Sequence, residues 1–416
     1  MDDKMNKNPE NINAEEQVIE FNEAEKAAVP QDAKKEKRKK RRKGLFIFFV
    51  VFMSIILVAV GTVTAFVFSK LGKINYVEPE QTTIDTNQEF IEEEEDKIEF
   101  DGIDDATGNS LKEILKNWAT NGGKKMASKN VINILLIGSD ASVKDPTRAN
   151  SADKGNTDAM ILVSVDIKNE TIKLVSFMRD SYTYLENFDR YAKLNAACAN
   201  GGASYLVETI ENNYKIEIDG YVMVDLDSFV QVIDILGGIR MDVPADYASY
   251  LTNKKYGEFP SGNNVLLDGK QALRFCQVRK YYASGDVGRT SNQRKVINAI
   301  INRCKGATLG EINAIADVVL ANVRTNVSKK TILAYAAKAV SDNWANYNIS
   351  EETMPDQYTR ATYMSASTAW IWLVDYPLAA QTTQFFLYGE TNIVLPEERQ
   401  TAITIMGRTV PKKPTN

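Results

Sequence analysis

Three apolar runs between Asn133 and Asp180 each meet a charged residue at one end. The first run, NILLIGSDA, ends at Asp140, and Asp158 precedes the second, AMILVSVD. The third, TIKLVSFMRD, ends in Arg179 and Asp180. Packing needs no charge here, whereas carboxylates suit a divalent metal ion and a guanidinium suits phosphate oxygens. The pattern therefore indicates a metal-assisted site for a phosphate group at the edges of strands.

Basic and amide residues continue this pattern further along the chain. Lys193 lies in YAKLNAACANGG, Arg274 and Arg279 lie in ALRFCQVRKY, and Arg289 and Gln293 lie in GDVGRTSNQRK. The planar fork of arginine donates two parallel hydrogen bonds to phosphate, and lysine adds a point charge. These segments are candidates for the second half of an anion site.

Each candidate also has a purely structural interpretation. Asp140 and Asp158 suit turns or helix caps, and Arg179 suits an ion pair with its neighbour at a strand end. Residues 290–293 fit a capping box, which would place Arg289 just before a helix N-terminus. That position still favours an anion, because free N–H groups and the helix dipole point at it. Both interpretations of this segment are therefore compatible with phosphate.

A sheet is needed to position these residues. Nearly continuous apolar runs at 131–137, 160–166 and 172–177 predict strands covered on both faces, the last two joined as a hairpin through 168–170. The mixture of strand and helix patterns predicts a layered α/β domain with a mixed sheet. Further strands are predicted at 220–226, 239–243 and 275–279, and helices at 202–212, 227–236, 291–305, 309–323, 329–341 and 366–373, with a capping box at 268–271.

The N-terminal part of the chain predicts a membrane anchor. Residues 45–68 form an apolar run without Asp, Glu, Lys or Arg, long enough to cross a bilayer as a helix. The basic run KKEKRKKRRK directly precedes it, so the positive-inside rule places the N-terminus in the cytoplasm and the following domain outside. Basic runs are also typical of nucleic-acid binding, but topology and anionic-lipid attraction explain this one more simply. We therefore expect no nucleic-acid partner.

Five segments follow from these patterns. Residues 1–44 are predicted to be a disordered basic cytoplasmic tail and 45–68 a transmembrane helix. Residues 69–129 contain an acid-rich run and are predicted to be an extracellular stalk. Residues 130–390 are long enough for one large domain, and 391–416 are predicted to be a C-terminal tail.

Composition removes several reaction classes. The net charge of −5 hides the contrast between basic tail and acidic stalk, and the chain contains no histidine. A Ser-His-Asp triad, a Cys-His pair and histidine-ligated zinc are therefore excluded. Three cysteines, Cys198, Cys276 and Cys304, match no zinc spacing and are too few for a disulfide scaffold. One disulfide remains possible, and the sequence leaves its pairing open.

The order of the motifs resembles the LytR-CpsA-Psr family of Gram-positive envelope proteins. The blocks that carry the resemblance are NILLIGSDA, NTDAMILVSVD, SFMRD, KLNAACANGG, LGGIRMDVP, GKQALRF with its following arginine, and GDVGRTSNQR. The resemblance is strong over 131–305 and looser to about residue 389. The cytoplasmic tail, single span and outer domain also match the usual layout of that family.

The resemblance implies a fold and an activity. The family fold is a three-layer α/β/α sandwich with an apolar lipid-binding pocket. Its members transfer an anionic glycopolymer, of teichoic acid or capsular polysaccharide type, from a polyprenyl-pyrophosphate carrier to peptidoglycan. Carried over, Asp140 and Asp158 would hold Mg²⁺, or Mn²⁺ in its place. The pyrophosphate would bind to Arg179, Lys193, Arg279, Arg289 and Gln293. Asp158, Arg179 and Arg289 would be catalytic, with Asp158 as the candidate base.

The chain departs from the family pattern at three positions. Asn156, Gln277 and Asn292 stand where the family usually has arginine. Each change removes a charged donor near an anion, a contact worth roughly 1.5–3 kcal/mol. Arg274 and Arg294 are candidates to compensate, although a shift of several residues points a side chain elsewhere. Three functions therefore remain: the transferase, a non-catalytic polyprenyl-phosphate-binding envelope regulator, and a lipid-pyrophosphate hydrolase.

Overall fold

The computed structural model describes residues 75–77, 90, 98, 100, 103–139, 157–282, 285–304, 314, 323–342, 344, 347–364 and 369–413. The predicted tail and transmembrane helix lie outside these residues, as do Asp140 and Asn156. The predicted helix at 309–323 also lies outside them, apart from residues 314 and 323. Within the described residues, no helix has the length and apolar character needed to span a bilayer.

A mixed sheet forms the centre of the fold, as predicted. Its order is β1-β10-β7-β2-β3-β4-β11, and the pairs β5–β6, β8–β9 and β12–β13 form separate two-stranded sheets. β2 is parallel to β7 and β4 to β11, whereas β3 is antiparallel to both β2 and β4. The strands are β1 (Asn75–Tyr76), β2 (Val131–Ser139), β3 (Thr157–Asp166), β4 (Thr171–Phe177), β5 (Tyr182–Leu185), β6 (Arg190–Lys193), β7 (Gly220–Asp225), β8 (Ile239–Val243), β9 (Gly262–Leu267), β10 (Arg324–Thr325), β11 (Asn348–Met354), β12 (Arg360–Met364) and β13 (Trp370–Val374).

Helices flank this sheet. They are α1 (Asp105–Asn121), α2 (Asn195–Tyr214), α3 (Leu226–Ile235), α4 (Ala245–Asn253), α5 (Gly269–Gln277), α6 (Asp286–Cys304), α7 (Lys329–Ser341), α8 (Tyr376–Tyr388) and α9 (Ala402–Ile405). Leu135 and Leu162 of the sheet are buried in one core with α1, α2 and α8. Their neighbours Leu136 and Ile161 line an apolar cavity beneath α3, α5 and α6. This alternation is the two-residue period of a strand, and it separates the two faces of the sheet.

One edge of the sheet collects the ends of five strands. β2, β4, β7 and β11 run in the same direction and finish there, and antiparallel β3 begins there. Ser139, the last residue of β2, pairs with Thr157 at the start of β3. Of the charged residues that the sequence placed at strand ends, Asp158, Arg179 and Asp180 are therefore brought to a common edge.

Two predicted elements are wrong, and local packing explains both. Residues 275–279 are not a strand, because α5 continues to Gln277 from the predicted capping box at Asp268 and buries Phe275 and Cys276 on one face. Residues 370–373 of the helix predicted at 366–373 are not helical, because the apolar run Trp370–Val374 pairs antiparallel with Arg360–Met364 as β13, and residues 366–368 lie outside the described residues.

The folded body extends beyond the predicted limits at both ends. Within the predicted stalk of 69–129, α1 buries Leu111 and Leu115 in the main core. Within the predicted tail of 391–416, α9 adds Ile403 and the following Met406 to the same core. Both segments carry apolar residues at helical spacing, so their burial stabilises the domain by removing apolar surface from water.

Candidate active site

Asp158 lies at the centre of a charged cluster on the common edge of the sheet. It is the second residue of β3, and its side chain is 51% exposed. Oδ1 of Asp158 forms ion pairs with Nη1 of Arg179, which follows β4, and with Nη1 of Arg289 at 3.3 Å. The structure thus brings together one carboxylate and two arginines from three separate segments.

α6 supplies the next two groups. It begins at Asp286, not at residue 291 as predicted, so the predicted capping box at 290–293 is wrong. Arg289 and Gln293 are therefore four residues apart within the helix and share one face. Arg289 Nη2 and Gln293 Nε2 donate to the backbone carbonyl of Asp158 over 3.4 Å and 3.3 Å. The N-terminal part of α6 therefore aligns both side chains with the start of β3.

Asp180 contacts three cations of the cluster, whereas the sequence suggested only an ion pair with its neighbour Arg179. Its buried carboxylate lies 3.2 Å from Lys193 Nζ, 3.6 Å from Arg179 Nε and 3.9 Å from Arg279 Nη1. Lys193 ends β6 and is buried, whereas Arg279 is 43% exposed. In the sequence, the signal for this role of Asp180 was its position directly after Arg179 at the end of β4.

A second residue that the sequence did not single out, Asp286, anchors Arg289. Both side chains are buried, and Arg289 Nη2 lies 2.6 Å from Asp286 Oδ1 across one helical turn. A buried arginine needs a partner of opposite charge, and the spacing of these two residues in GDVGR supplies it. Asp286 thus fixes the guanidinium of Arg289 without leaving the first turn of α6.

The electrostatics of the cluster favour an anion. Arg179, Lys193, Arg279 and Arg289 face three carboxylates, so the cluster carries one net positive charge. Burial alone raises the pKa of Asp158, but the charges of Arg179, Arg289 and Arg279 hold that pKa below its ordinary value. Burial raises the pKa of Asp286 and lowers that of Arg289, and their mutual attraction opposes both shifts.

The cluster borders the apolar cavity between the sheet and α3, α5 and α6. The cavity has a volume of about 210 Å³, and Asp158, Arg289 and Gln293 belong to its wall. Apart from Asp225 and Gln277, its other walls are apolar and include Phe229, Leu273, Val296, Ile297 and Ile300. A ligand with an anionic head and a hydrocarbon tail matches this arrangement of charge beside an apolar space.

Two of the three positions that depart from the family pattern, Asn292 and Gln277, have other partners. Asn292 is buried and donates to the carbonyl of Phe275 and to the hydroxyls of Tyr247 and Tyr282. Gln277 accepts from Arg274 at 3.0 Å, and Arg274 also stacks over Tyr256.

Neither candidate for compensation joins the cluster. Arg294 pairs with Glu351 at 3.0 Å, and the contacts of Arg274 are with Gln277 and Tyr256. Arg294 therefore faces β11, and Arg274 lies on α5. Among the described residues, neither Arg274 nor Arg294 replaces the arginines that the family pattern has at positions 277 and 292.

The donor groups present are compatible with a magnesium ion. The carboxylate of Asp158 is half exposed at the mouth of the cavity. Among the residues that the structure describes, no group of three or more Asp, Glu or Cys side chains could hold a metal. Mg²⁺ does not need such a group, because it keeps several waters and binds through one or two carboxylates plus substrate phosphates. Asp158 fits that requirement, while Asp140, its predicted partner, lies outside the described residues.

The reactivity of the Cys276 thiol tests whether this residue is buried in the wall of the apolar cavity. Cys276 is buried, unpaired with another cysteine and part of the cavity lining, and burial raises the pKa of its thiol to about 12. Because the thiolate is the reactive form, we expect alkylation by N-ethylmaleimide at pH 8 to be at least ~10³-fold slower than for an exposed thiol. Peptide mass spectrometry measures this rate, with the protein unfolded in guanidinium as the fast control. Equal rates in the folded and unfolded protein would contradict the buried position.

The comparisons with known proteins identify the class. The LytR_cpsA_psr family matches residues 81–384, and the chain belongs to this family. It is 36% identical over 228 residues to the polyisoprenyl-teichoic acid–peptidoglycan teichoic acid transferase TagV of Bacillus subtilis (strain 168), a match that covers 54% of this chain and 55% of TagV. The chain thus spans only about half the length of that relative.

Two further similarities agree with this class. A TagU transferase of Bacillus cereus is 33% identical over 232 residues, covering 54% of this chain and 71% of TagU. The crystal structure of the protein gbs0355 from Streptococcus agalactiae matches with a TM-score of 0.54 and 23% identity, over 66% of this chain and 92% of that chain. The latter similarity establishes the fold.

Proposed function

We propose that this protein transfers an anionic glycopolymer from a polyprenyl-pyrophosphate carrier to peptidoglycan. The observation that carries the proposal is the position of the arginine–carboxylate cluster at the mouth of an apolar cavity. The names of the TagV and TagU relatives describe teichoic acid transfer to peptidoglycan, which supports the same reaction here. The proposal includes the three-layer α/β/α sandwich, a single-pass anchor at 45–68 and an extracellular catalytic domain.

The donor would bind with its tail in the cavity and its pyrophosphate on the cluster. Each buried CH₂ contributes about 0.8 kcal/mol to binding, so the tail supplies affinity without selecting the polymer. Arg179, Arg279 and Arg289, with Lys193 and Gln293, would bind the phosphate oxygens. Asp140 and Asp158 would hold Mg²⁺, or alternatively Mn²⁺. When bound, the ion would neutralise charge on the pyrophosphate and stabilise the leaving oxygen.

The reaction exchanges one phosphorus–oxygen bond for another. An acceptor hydroxyl of peptidoglycan attacks the phosphorus next to the polymer, and polyprenyl phosphate leaves with the bridging oxygen. A phosphodiester results, and Asp158 accepts the proton of the hydroxyl. Arg179, Arg289 and Arg279 lower the pKa of Asp158 and so keep its carboxylate ionised, which is the form that can accept a proton.

A non-catalytic binder of polyprenyl phosphates is the second candidate. Asn292 and Gln277 stand where the family pattern has arginine, so two arginines of that pattern are missing from the described cluster. The side chain of Asn292 is hydrogen-bonded to two tyrosines and that of Gln277 to Arg274. Fewer cations around the leaving phosphate would weaken transition-state stabilisation more than ground-state binding. The same site can thus retain the lipid without performing transfer.

One assay separates these functions and also detects hydrolysis. The full-length protein in detergent is incubated with Mg²⁺, peptidoglycan fragments and a glycopolymer donor labelled in the phosphate next to the polymer. Transfer puts the label into a peptidoglycan phosphodiester, and we expect this product. A labelled polymer phosphate that is not joined to peptidoglycan would indicate a hydrolase. An unchanged donor that remains bound would indicate the non-catalytic binder and contradict the transferase.

A further inference from the structure

A second and larger cavity lies beside β11, the last strand of the sheet order. Its volume is about 840 Å³, and it is formed by β11, the segment 355–360, α8 and Lys413. No residue of the apolar cavity contributes to it. We call this space the β11 cleft.

The β11 cleft adjoins the charged cluster through two direct connections. Met178, which precedes Arg179, donates its N–H to the carbonyl of Met354 at 2.9 Å, and its sulfur lies 3.3 Å from Arg360 Nη1. Both Met354 and Arg360 line the cleft. The turn that carries Arg179 is therefore in contact with one end of the cleft.

α6 separates this cleft from the apolar cavity. Gln293 lines the apolar cavity, whereas the next residue, Arg294, lines the β11 cleft. Arg294 is fixed there by Thr353 at 2.8 Å and Glu351 at 3.0 Å. The cluster thus has an apolar space on its β2–β7 side and a polar space on its β11 side.

The walls of the β11 cleft differ in chemistry from those of the apolar cavity. Phe385 is 61% exposed although it is aromatic, and Tyr358 is half-buried nearby in the lining. Glu352 and Gln357 are exposed, and Gln381 adds a second amide. Aromatic faces beside amides and carboxylates suit sugar rings, whose C–H faces are apolar and whose edges carry hydroxyl and amide groups.

The charges of the cleft argue against an anionic polymer as its occupant. Three basic side chains are balanced by three carboxylates, so the cleft offers no net positive charge; these residues are Arg294, Arg360, Lys413, Glu351, Glu352 and Asp356. A polyanion would lose hydration there and meet like charge at exposed Glu352. A saccharide without phosphate avoids that cost.

We propose that the β11 cleft binds the acceptor, a glycan strand of peptidoglycan, with one sugar ring stacked on Phe385. This assignment rests on the proposed transfer reaction and adds the subsite for its second substrate. A bound strand would present a hydroxyl to the cluster from the side opposite the lipid. Donor and acceptor would then occupy separate spaces and meet at Asp158.

The test measures binding of muramidase-released peptidoglycan fragments to the full-length protein in detergent. Phe385→Ala removes the exposed ring and is expected to weaken binding about tenfold, the loss that ~1.4 kcal/mol corresponds to. Gln357→Trp fills the cleft from an exposed position and is expected to abolish binding. Val394→Ala, at a 92% exposed residue outside the cleft, is the matched control and should bind as the unmodified chain does.

Polyprenyl pyrophosphate binding is measured on the same samples and should be unchanged in all three variants. Three results would each overturn the assignment. The first is that the unmodified chain binds no fragments, and the second is that Phe385→Ala and Gln357→Trp bind them as tightly as the unmodified chain does. The third result is competition between fragments and polyprenyl pyrophosphate. The assignment would also be overturned if polyglycerol phosphate bound more tightly than the peptidoglycan fragments and this binding depended on Phe385. Fragment binding that depends on Phe385 in a protein without transfer activity would support the cleft while contradicting the transferase.

Discussion

Replacing Arg289 with alanine is expected to abolish transfer and weaken polyprenyl pyrophosphate binding about 10- to 100-fold, the equivalent of the roughly 1.5–3 kcal/mol of a charged hydrogen bond. Arg289 is 2% exposed and borders the apolar cavity, so water cannot readily replace its guanidinium. Isothermal titration with polyprenyl pyrophosphate measures the loss. Affinity equal to that of the unmodified chain would contradict the placement of the anion site.

The same substitution should also destabilise the fold. It leaves the buried carboxylate of Asp286 without its partner at 2.6 Å, and breaking a buried pair costs about 3–5 kcal/mol. The double variant Arg289→Ala/Asp286→Asn removes that unpaired charge and should recover much of the stability without recovering lipid binding. Arg274→Ala is the matched control, because this arginine lies outside the cluster, and it should bind the lipid normally.

Asp158→Asn is expected to lower transfer about 10²- to 10⁴-fold while changing lipid affinity by only a few-fold. The substitution keeps the shape of the side chain but removes the charge proposed to bind the metal and accept the proton. Retained Mg²⁺-dependent transfer in this variant would exclude both roles. The comparison of transfer with affinity separates a catalytic role from a binding role, because Arg289 is expected to affect both quantities.

The pH dependence of stability gives Asp158 a second readout. Its folded-state pKa is held below the ordinary value near 3.9, so its ionised form stabilises the fold above that pH. This contribution is lost as the pH falls through the folded-state pKa. The stability difference between the unmodified chain and Asp158→Asn, measured by urea unfolding, should therefore be largest near neutral pH and shrink below about pH 4. A difference that grows in acid would contradict the direction of the shift.

The sequence predicted β2, β3, β4 and β7 of the central sheet because each of these strands is an apolar run with clear limits, whereas the short strands β1 and β10 and the largely polar β11 were not predicted. β8 and α7 have the predicted bounds, and the hairpin of β3 and β4 turns where 168–170 indicated. Such elements depend on local pattern, and tertiary contacts do not override it. The convergence of Asp158 and Arg179 also follows from strand ends that share one edge, and α6 adds Arg289 to them.

The start of α6 could not be predicted, because it is accompanied by a packing contact that no local helix signal reveals. Gly288 in the sequence GDVG is typical of a loop, yet the ring of Tyr282 packs where a side chain at this position would be. A Cβ atom there would lie 2.3 Å from Tyr282 Cγ. Glycine therefore permits close packing within the first turn, and the predicted cap at 290–293 is a helical segment instead.

The role of Asp180 depends on contacts that no local pattern encodes, and the role of Asp286 depends on its burial. Asp180 meets Lys193 and Arg279 across separations that only the folded chain closes. Asp286 has its partner within one turn, but its importance arises from burial, which raises its pKa and makes the pair costly to break. The anion site is thus a network in which carboxylates fix the directions of the arginines.

The most direct measurement is photo-crosslinking with a polyprenyl pyrophosphate that carries a diazirine on its first isoprene unit. If the pyrophosphate binds the cluster and the tail enters the apolar cavity, mass spectrometry should locate the crosslinks on Phe229, Leu273, Ile297 or Ile300. Excess unlabelled polyprenyl pyrophosphate and the Arg289→Ala substitution should both reduce them. Crosslinks elsewhere on the domain, or crosslinks in the cavity that are independent of Arg289, would contradict this account of the site.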